Sequence, residues 1–381
     1  MRGILRDLDG VLLATTVALI VIGLVVLASA TASLGGPAQY LRTRLVHLGV
    51  AAVAMLAILA VDYRRWAGGR MLYLANLALL GLVLMVGVTR LGATRWIPLG
   101  PFGGFQPSEL AKIALILTLA RHLADRPPPA SVPAFMPYLA HAGVPVLLIV
   151  AQPDLGTAMV VGAILLGMLF VAGARLGAMA SLGGLALMGM PFLWSVLHDY
   201  QRRRLLVFLD PGVDPLGAGY ALAQAKIAVG SGQLWGKGLF AGTQNLLRFI
   251  PEQHTDFIFT VIGEELGFVG AVLVLALFLI WIWRALRISA AASDRLGRLI
   301  AGGVAAMVVF HVFVSVGMTI GLMPITGIPL PFLSYGGSSL LAMSVATGLL
   351  LNVGMRRRRR KILFEEQWSD GQRDHRQRRT V

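Results

Sequence analysis

The chain has 381 residues, of which 57% are hydrophobic and 13% are charged, and its formal net charge is +15. Soluble globular proteins carry about 25% charged residues, so this composition excludes an ordinary soluble domain and indicates a polytopic membrane protein. The chain has no cysteine, which excludes disulfide bonds and thiol chemistry. Much of the positive charge lies at and after Arg356–Lys361, which indicates a topology signal and a contact for anionic membrane lipids rather than a nucleic-acid partner.

Apolar runs of about twenty residues recur along the chain and predict about ten transmembrane helices. The first run follows Met1–Asp9 directly and lacks a convincing cleavage site, so we interpret it as a retained span rather than a secretory signal. The runs lie at 11–30, 45–61, 71–89, 107–122, 136–151, 155–174, 177–197, 264–283, 299–321 and 335–354.

Lysine and arginine residues concentrate in one set of alternate loops. With the tail included, this set carries about eighteen of them, whereas the short loops opposite carry about four. An even number of spans places both ends of the chain on one side, so the positive-inside rule predicts that both termini face the cytoplasm. The connections that then face outward are 31–44, 90–106, 152–154, 198–256 and 322–334.

We therefore predict an all-α polytopic fold. Residues 1–355 form a single transmembrane domain, and residues 356–381 form a basic cytoplasmic tail. The extracytoplasmic loop 198–256, between the seventh and eighth helices, is far longer than the other connections, and long connections are usually functional. Within this loop, the apolar stretch Tyr220–Val229 predicts a short helix on or in the membrane interface.

Carboxylates cluster at the end of this loop and at the start of the eighth span. Asp256 lies where the polar loop gives way to an apolar run, and Glu264 and Glu265 follow inside that run. Carboxylates at or inside a membrane boundary are costly and usually functional, although an aspartate in this place is often only a helix cap. A single helix from Asp256 through this run would be roughly 45 Å long, so we expect it to project outward or to break near Gly263–Gly267.

Other polar positions lie in or beside predicted spans. Glu109 and Lys112 share one helix face, where they either form an ion pair that lets a polar helix insert or line a functional site. In both cases two charges in lipid must face each other or a cavity, which implies a water-filled cavity. Asp154 lies in a very short outward turn, where we favour a helix cap over a cavity position.

The loop before the last span combines three prolines with Gly336 and Gly337, which indicates rigid backbone that is buried in protein or lines a cavity. Ser334 and the amides after it either hold an anion at a helix start or simply cap a tight turn. The histidines show no metal-ligand spacing, and a cation shared by His254 and Asp256 is the less favoured interpretation.

Several cations lie on the predicted outer face, against the usual charge bias. An anionic head group such as a pyrophosphate would explain them, although each one alone is more typical of a solvated charge. They are Arg42, Arg44, Arg95, Arg202–Arg204, Lys226, Lys237 and Arg248.

An ordered set of motifs runs through nearly the whole chain. The motifs are RWIPLGPFGGFQPSELAK, QPDLGTA, GKGLFAGTQ, PEQHTDFIF with GEELGFVG, and GLMPITGIPLPFLSYGGSS. Together they resemble the SEDS family (shape, elongation, division, sporulation), the RodA/FtsW proteins, and the short loops and tail are more similar to RodA. Ser315 departs from the family pattern, which has Asn at this position before Pro324.

The resemblance implies a peptidoglycan glycosyltransferase that polymerises lipid II during cell elongation. It implies a multi-pass protein of the cytoplasmic (inner) membrane, with its active site facing the periplasm or outside. The implied partners are a class B penicillin-binding protein, which crosslinks the strands, and undecaprenyl-linked glycan. The family's essential aspartate falls on Asp256, and its paired polar residues fall on Glu109 and Lys112.

From this resemblance we expect an inverting reaction, with Asp256 as general base and undecaprenyl pyrophosphate as leaving group. A divalent cation, Mg²⁺ or Mn²⁺, held with Asp256 is the one cofactor that we consider. The residues that we expect to bind substrate are Arg44, Arg95, Glu109, Lys112, Asp154, Arg204, Gln244, Glu252 and Ser334.

Two other functional classes share these features. A flippase or transporter for the same lipid would also need an amphipathic cavity with charges inside the membrane, but transporters usually show inverted repeats and helices broken at mid-membrane. The charged candidates here cluster toward the outer side, which favours chemistry outside the membrane. A non-catalytic scaffold for a partner synthase predicts instead that substitution of Asp256 leaves glycan synthesis intact.

Overall fold

The computed structural model describes residues 8–34, 36–90, 93–98, 104–197 and 199–356. These residues form helices with one small sheet. The helices are α1 (Gly10–Ala32), α2 (Pro37–Ala60), α3 (Tyr63–Trp66), α4 (Gly69–Val86), α5 (Pro107–Ala124), α6 (Val132–Ala151), α7 (Leu155–Val171), α8 (Leu176–Met188), α9 (Met190–Val196), α10 (Asp199–Leu209), α11 (Ala218–Ser231), α12 (Thr243–Leu246), α13 (Ile258–Ala290), α14 (Arg295–Ile320) and α15 (Gly337–Arg356). The strands are β1 (Val88–Arg90), β2 (Ala93–Pro98) and β3 (Gly104–Phe105).

The predicted all-α polytopic architecture is confirmed. The predicted spans coincide with helices, except that the run 177–197 is divided between α8 and α9. Within the described ranges, 7 helices are long and apolar enough to cross a membrane, namely α1, α2, α4, α6, α13, α14 and α15. Helices α7 and α8 are apolar but shorter. Helix α5 carries Glu109 and Lys112 and is buried along most of its length. The number of crossings therefore stays a prediction.

Helices α14 and α15 form the centre of the bundle. In their most apolar windows, 67% and 83% of the residues are buried, against 22% in α2 and 17% in α4 at the rim. Small residues let α7 approach α14 closely, because a Cβ on Gly302 or Gly303 would lie 2.8 Å from side-chain atoms of Val171 or Met168. Lipid tails are as apolar as leucine, so close packing of this kind holds helices together in a membrane.

Helix α13 breaks where the sequence predicted. It spans 33 residues, and Gly267 inside it has φ 66° and ψ −163°, which is not helical. Gly236 has φ 80° and packs its backbone against Gly267, so a Cβ on either glycine would overlap the other chain segment. The backbone amides of Phe268 and Val269 donate to carbonyls of the segment beside it rather than within the helix.

The predicted short helix in the long loop is confirmed as α11. It buries Ala221, Leu222, Ala225 and Ala228 and packs against α13 and α14. Its last turn approaches α13 so closely that a Cβ on Gly232 would overlap the α13 backbone. The long loop is thus folded onto the bundle through this helix.

A small antiparallel sheet occupies the connection 90–106, which the sequence did not predict. The strand order is β1-β2-β3, and Ile97 pairs with Phe105. Trp96 packs over Gly104, where an added Cβ would lie 3.0 Å from the indole ring. This packing fixes β2 and the side chains that it carries toward the bundle.

Among the described residues, a large hydrophobic core runs through the bundle from α1 to α15. A smaller cluster under the long loop joins α11 to Ile250 and Phe257. The predicted division into a domain at 1–355 and a basic tail at 356–381 stays a prediction. Residues 1–7 and 357–381 lie outside the described part of the chain.

Candidate active site

A partly open cavity of about 450 Å³ lies where several elements meet. They are the starts of α5, α7 and α15, strand β2, the turn before α13, and the loop 321–336 that follows α14. Its volume falls within the range of small-molecule sites. The predicted site residues that line it are Arg95, Glu109, Lys112, Asp154, Glu252 and Asp256.

Asp256 lies in the turn that precedes α13, so it does not cap that helix with its side chain. The Glu252 carbonyl, at a residue with φ 50°, accepts hydrogen bonds from the amides of Thr255 and Asp256, both at 3.1 Å. This tight turn holds the Asp256 carboxylate partly buried at the cavity. Burial raises the pKa of Asp256 to about 6, and the nearby guanidinium groups of Arg95 and Arg204 oppose that rise.

The loop after α14 comes directly against this carboxylate. Gly327 has φ 72°, and a Cβ built on it would lie 3.3 Å from Asp256 Oδ2 and 3.9 Å from Arg204 Nη1. Arg204 Nη1 also donates to the Ile325 carbonyl at 3.4 Å. The positive φ and this close approach therefore favour a glycine where the backbone passes the acid.

Asp154 has both of the roles that the sequence left open. Its side chain caps α7 by accepting from the Thr157 amide and hydroxyl, at 3.2 and 2.8 Å. It also accepts from Gln106 Nε2 at 3.0 Å and pairs with Arg95 Nη1 at 3.3 Å. Arg95 Nε is buried and has no hydrogen-bond partner among the described residues.

Glu109 and Lys112 form the ion pair that their spacing predicts. Lys112 Nζ lies 2.9 Å from Glu109 Oε1, and both side chains are almost completely buried. Lys112 Nζ also lies 3.1 Å from His311 Nε2, which belongs to α14. Glu109 Oε2 has no hydrogen-bond partner among the described residues, although it lines the same cavity.

Sequence reasoning missed His311, Gln106 and the aromatic residues beside Asp256. His311 is an ionisable residue inside a predicted span, and the rule that flagged Glu109 would also have flagged it. The Tyr335 amide donates to the His254 carbonyl at 2.9 Å, and their rings meet with centroids 5.8 Å apart. Burial lowers the pKa of His254. These contacts join distant loops, so no local pattern could reveal them.

Four of the residues predicted to bind substrate lie outside the cavity lining. Arg44 is buried and donates through Nη2 to the Phe332 carbonyl at 2.5 Å, which anchors the loop. Ser334 Oγ accepts from the Leu330 amide at 2.9 Å, as expected for a tight cap. The Gln244 backbone amide donates to Glu264 Oε1 at 3.0 Å. Arg204 contacts the loop at the Ile325 carbonyl, and its charge interacts with that of Asp256. The structure thus gives Arg44, Ser334 and the Gln244 amide contacts within the protein.

Comparisons with known proteins agree with this architecture. The sequence model of the FtsW/RodA/SpoVE family, described as cell cycle protein, matches residues 10–359. The chain belongs to the FtsW/RodA/SpoVE family. It is a multi-pass helical membrane protein like the other members with known structure.

Two curated members of this family are each 40% identical to the chain. "Peptidoglycan glycosyltransferase MrdB" of Escherichia coli (strain K12) matches over 353 residues, which cover 92% of the chain and 94% of that protein. "Stage V sporulation protein E" of Bacillus subtilis (strain 168) matches over 356 residues, which cover 91% and 96%.

Solved structures of the FtsW/RodA/SpoVE family have the same fold. One, described as "Structural coordination of polymerization and crosslinking by a peptidoglycan synthase complex", has TM-score 0.79 and 35% identity, covering 92% of this chain and 98% of that one. The rod shape determining protein RodA of Thermus thermophilus has TM-score 0.68 and 32% identity, covering 92% and 97%.

A second carboxylate cluster in this family member lies away from the cavity. Glu264 Oε1 accepts from Lys237 Nζ at 2.7 Å and from the Thr243 hydroxyl at 3.1 Å. Glu265 accepts from the Ser29 hydroxyl at 2.6 Å and from the Asn245 side-chain amide at 3.0 Å. Both carboxylates are satisfied within the protein, so they fasten the long loop to α1 and α13.

Few described side chains at the cavity could coordinate a metal ion. Within the described ranges, no group of three or more His, Cys, Asp or Glu side chains could hold one. Asp256 and Glu252 lie near each other at the cavity, and their charges interact. Hard cations such as Mg²⁺ often use one or two carboxylates and take their remaining ligands from substrate phosphates and water. The residues present fit a cation of that kind and not an all-protein cage.

Proposed function

We propose that this chain is a peptidoglycan glycosyltransferase that polymerises lipid II, with Asp256 as the general base. The observation that carries the proposal is that Asp256, Arg95 and Lys112 line one cavity. Glycosyl transfer from a pyrophosphate donor requires an acid–base group and cations around one cavity. The relatives named as peptidoglycan glycosyltransferases support the same reaction class.

Asp256 is suited to act as a base near neutral pH. Its pKa of about 6, raised by burial, leaves the carboxylate ionised at pH 7 yet more basic than an exposed aspartate. In the proposed step, the 4-hydroxyl oxygen of the acceptor sugar forms a bond to the anomeric carbon of the donor. The bond from that carbon to the pyrophosphate oxygen breaks, and the hydroxyl proton moves to Asp256. One displacement of this kind inverts the anomeric carbon.

The leaving pyrophosphate needs positive charge, because negative charge accumulates on it as the bond breaks. Lys112 and Arg95 both line the cavity. Asp154 holds Arg95 through the 3.3 Å ion pair, so that guanidinium is oriented before the substrate arrives. A preoriented cation costs little reorganisation during the reaction.

A divalent cation fits this arrangement as an additional source of charge. Asp256, with Glu252 nearby, would hold it together with phosphate oxygens of the substrate. When bound, Mg²⁺ or Mn²⁺ would neutralise charge on the leaving pyrophosphate. Addition of a chelator to the polymerisation assay, followed by replacement of the cation, tests this expectation.

The cellular setting follows from the same proposal. The lysine and arginine distribution supports cytoplasmic termini, so the cavity would open to the periplasm or outside of the cytoplasmic membrane. A relative is described in a peptidoglycan synthase complex that coordinates polymerisation and crosslinking. That description supports a class B penicillin-binding protein as the partner.

The proposal is tested with protein purified in detergent and fluorescent lipid II, with and without the candidate partner. We expect glycan polymers from the native protein and none from Asp256→Ala. Asp199→Asn is the matched control, because Asp199 is 96% exposed in the same outward segment. Lipid movement in vesicles without any polymer would indicate a flippase. Native polymer yield from Asp256→Ala would indicate a scaffold and end the assignment.

A further inference from the structure

His311 joins the buried ion pair to the loop beside the proposed base. It lies in α14 and is completely buried. Its Nδ1 lies 3.2 Å from the Pro329 carbonyl oxygen, and its Nε2 lies 3.1 Å from Lys112 Nζ. A carbonyl oxygen only accepts, so Nδ1 carries the proton and donates it. Nε2 then presents a lone pair to the Lys112 ammonium, and the imidazole is neutral.

The alternative protonation states do not fit these contacts. A neutral ring with its proton on Nε2 would face the ammonium with a hydrogen and the carbonyl with a lone pair. A charged ring would place two cations 3.1 Å apart in a buried site. The two hydrogen bonds together select a single tautomer.

His311 and Glu109 together fix the direction of the Lys112 ammonium. An ammonium has three donors in a tetrahedral arrangement. One points to Glu109 Oε1 at 2.9 Å and one to His311 Nε2 at 3.1 Å. The third has no acceptor among the described residues, and Lys112 lines the cavity. With two directions set, the third N–H can point only one way.

The other side of the imidazole is tied to the loop that supports Asp256. Pro329 and Gly327 belong to the same short loop, and Gly327 lies against the Asp256 carboxylate. Ile325 in that loop accepts a hydrogen bond from Arg204. The His311 side chain therefore contacts both the loop that supports Asp256 and the Lys112 ammonium.

We propose that His311 is a positioning residue whose neutral imidazole aims the free N–H of Lys112 at an anionic oxygen of the pyrophosphate-linked substrate. This inference rests on the proposed function. A misdirected Lys112 ammonium should stabilise the transition state less, because negative charge develops on the leaving group there. Binding of the intact substrate should change less. Loss of the imidazole acceptor should therefore lower kcat more than it raises KM.

Two conservative variants separate the two hydrogen bonds. In H311Q the side-chain carbonyl can occupy the place of Nε2 and accept from Lys112, but the donor at the Nδ1 position is lost. In H311N the side-chain amide can occupy the place of Nδ1 and donate to Pro329, but it does not reach Lys112. Both variants remove the ring, so they create similar cavities. Ser315→Ala is the control, because Ser315 is buried one turn further along α14 and its Oγ has no partner among the described residues.

Polymerisation of fluorescent lipid II is the first measurement, with thermal unfolding as a check on folding. We expect kcat for H311N to fall about 10- to 100-fold at nearly unchanged KM, as for a misplaced catalytic group. H311Q should stay within about threefold of the native protein, since it keeps the acceptor for Lys112. Equal losses in both variants, or a greater loss in H311Q, would overturn the proposal. An inactive native protein would instead overturn the proposed function.

Nitrogen NMR of ¹⁵N-histidine-labelled protein is the second measurement, and it needs no activity. The His311 signals are assigned by their absence in H311N. We expect a neutral ring protonated on Nδ1, with the Nε2 signal shifting when Lys112 is replaced by Met. A ring protonated on Nε2, or a charged ring, would contradict the inference even if every variant were inactive.

Discussion

Asp256 and the pair Glu264–Glu265 lie in one short stretch of sequence, and the structure gives them opposite surroundings. Glu264 and Glu265 accept hydrogen bonds from Lys237, Ser29 and neighbouring amides, and the described residues satisfy their oxygens. Asp256 instead lies at a cavity, where its carboxylate interacts with the charges of Arg95 and Arg204.

The difference between the two regions separates structural from functional carboxylates. A buried acid whose oxygens are all satisfied has no capacity left for a ligand, and removing it leaves its donors unpaired. Asp256 and Glu109 both line the cavity, and the buried Glu109 Oε2 has no partner among the described residues. Satisfaction of hydrogen bonds, rather than depth in the membrane, distinguishes the two kinds of acid.

The largest effect should come from changing charge alone at the cavity. Asp256→Asn keeps the shape of the side chain but removes the base, so polymerisation should fall by about 10² or more. Thermal unfolding should change little, because the carboxylate supports few contacts. The matched variant Glu264→Gln should show the reverse pattern, with lower stability and retained activity per folded molecule. The distinction between structural and functional carboxylates is wrong if fully folded Glu264→Gln is as inactive as Asp256→Asn.

The largest loss of stability should come from removing a carboxylate of the Glu264–Glu265 cluster. Glu264→Ala leaves the Gln244 backbone amide without its acceptor and leaves Lys237 Nζ with the Thr243 hydroxyl alone. Loss of the acceptor for a buried donor costs about 1–3 kcal/mol. Thermal unfolding in detergent measures the loss. Adding Lys237→Met to Glu264→Ala should recover part of it, because no unpaired ammonium then remains. A single variant as stable as the native protein would show that the cluster does not fasten the loop.

The pH dependence of kcat/KM should report the surroundings of Asp256. Burial raises its pKa to about 6, so the acid becomes protonated and inactive as the pH falls through that value. Activity should therefore rise from low pH and level off above about 6. Arg204→Gln removes a cation that favours the ionised form of Asp256. The rise of kcat/KM with pH (the acid limb of the profile) should therefore move to higher pH. Arg203→Gln, on the exposed side of the same helix, should leave the limb in place.

The smallest expected effect concerns the loop backbone beside the acid. Gly327→Ala places a methyl group 3.3 Å from Asp256 Oδ2 at a residue with φ 72°. Left-handed backbone costs an alanine about 1–2 kcal/mol, so activity should fall about tenfold or less. Gly336→Ala is the control, because the nearest atom to its Cβ would be 3.6 Å away. Equal rates for both variants would show that activity does not depend on the loop backbone position at Gly327.

Much of the fold could be predicted from the sequence because its causes are local. Long apolar runs predict membrane helices wherever they occur, and the predicted runs are helical, with 177–197 divided between α8 and α9. The break in α13 was also predictable, since a single helix would be too long and glycines lie where it breaks. The small sheet at 88–105 was not, because its strands are short and its stability comes from packing such as Trp96 on Gly104.

The sequence by itself determined the membrane fold, the family motifs and the ion pair of Glu109 with Lys112, since each depends on neighbours along the chain. Only the tertiary structure decided which polar groups share the cavity. Lys112 meets His311 across 199 positions, and Glu265 meets Ser29 across 236. Whether a buried carboxylate is satisfied depends on such distant partners, and these come together only when the helices pack.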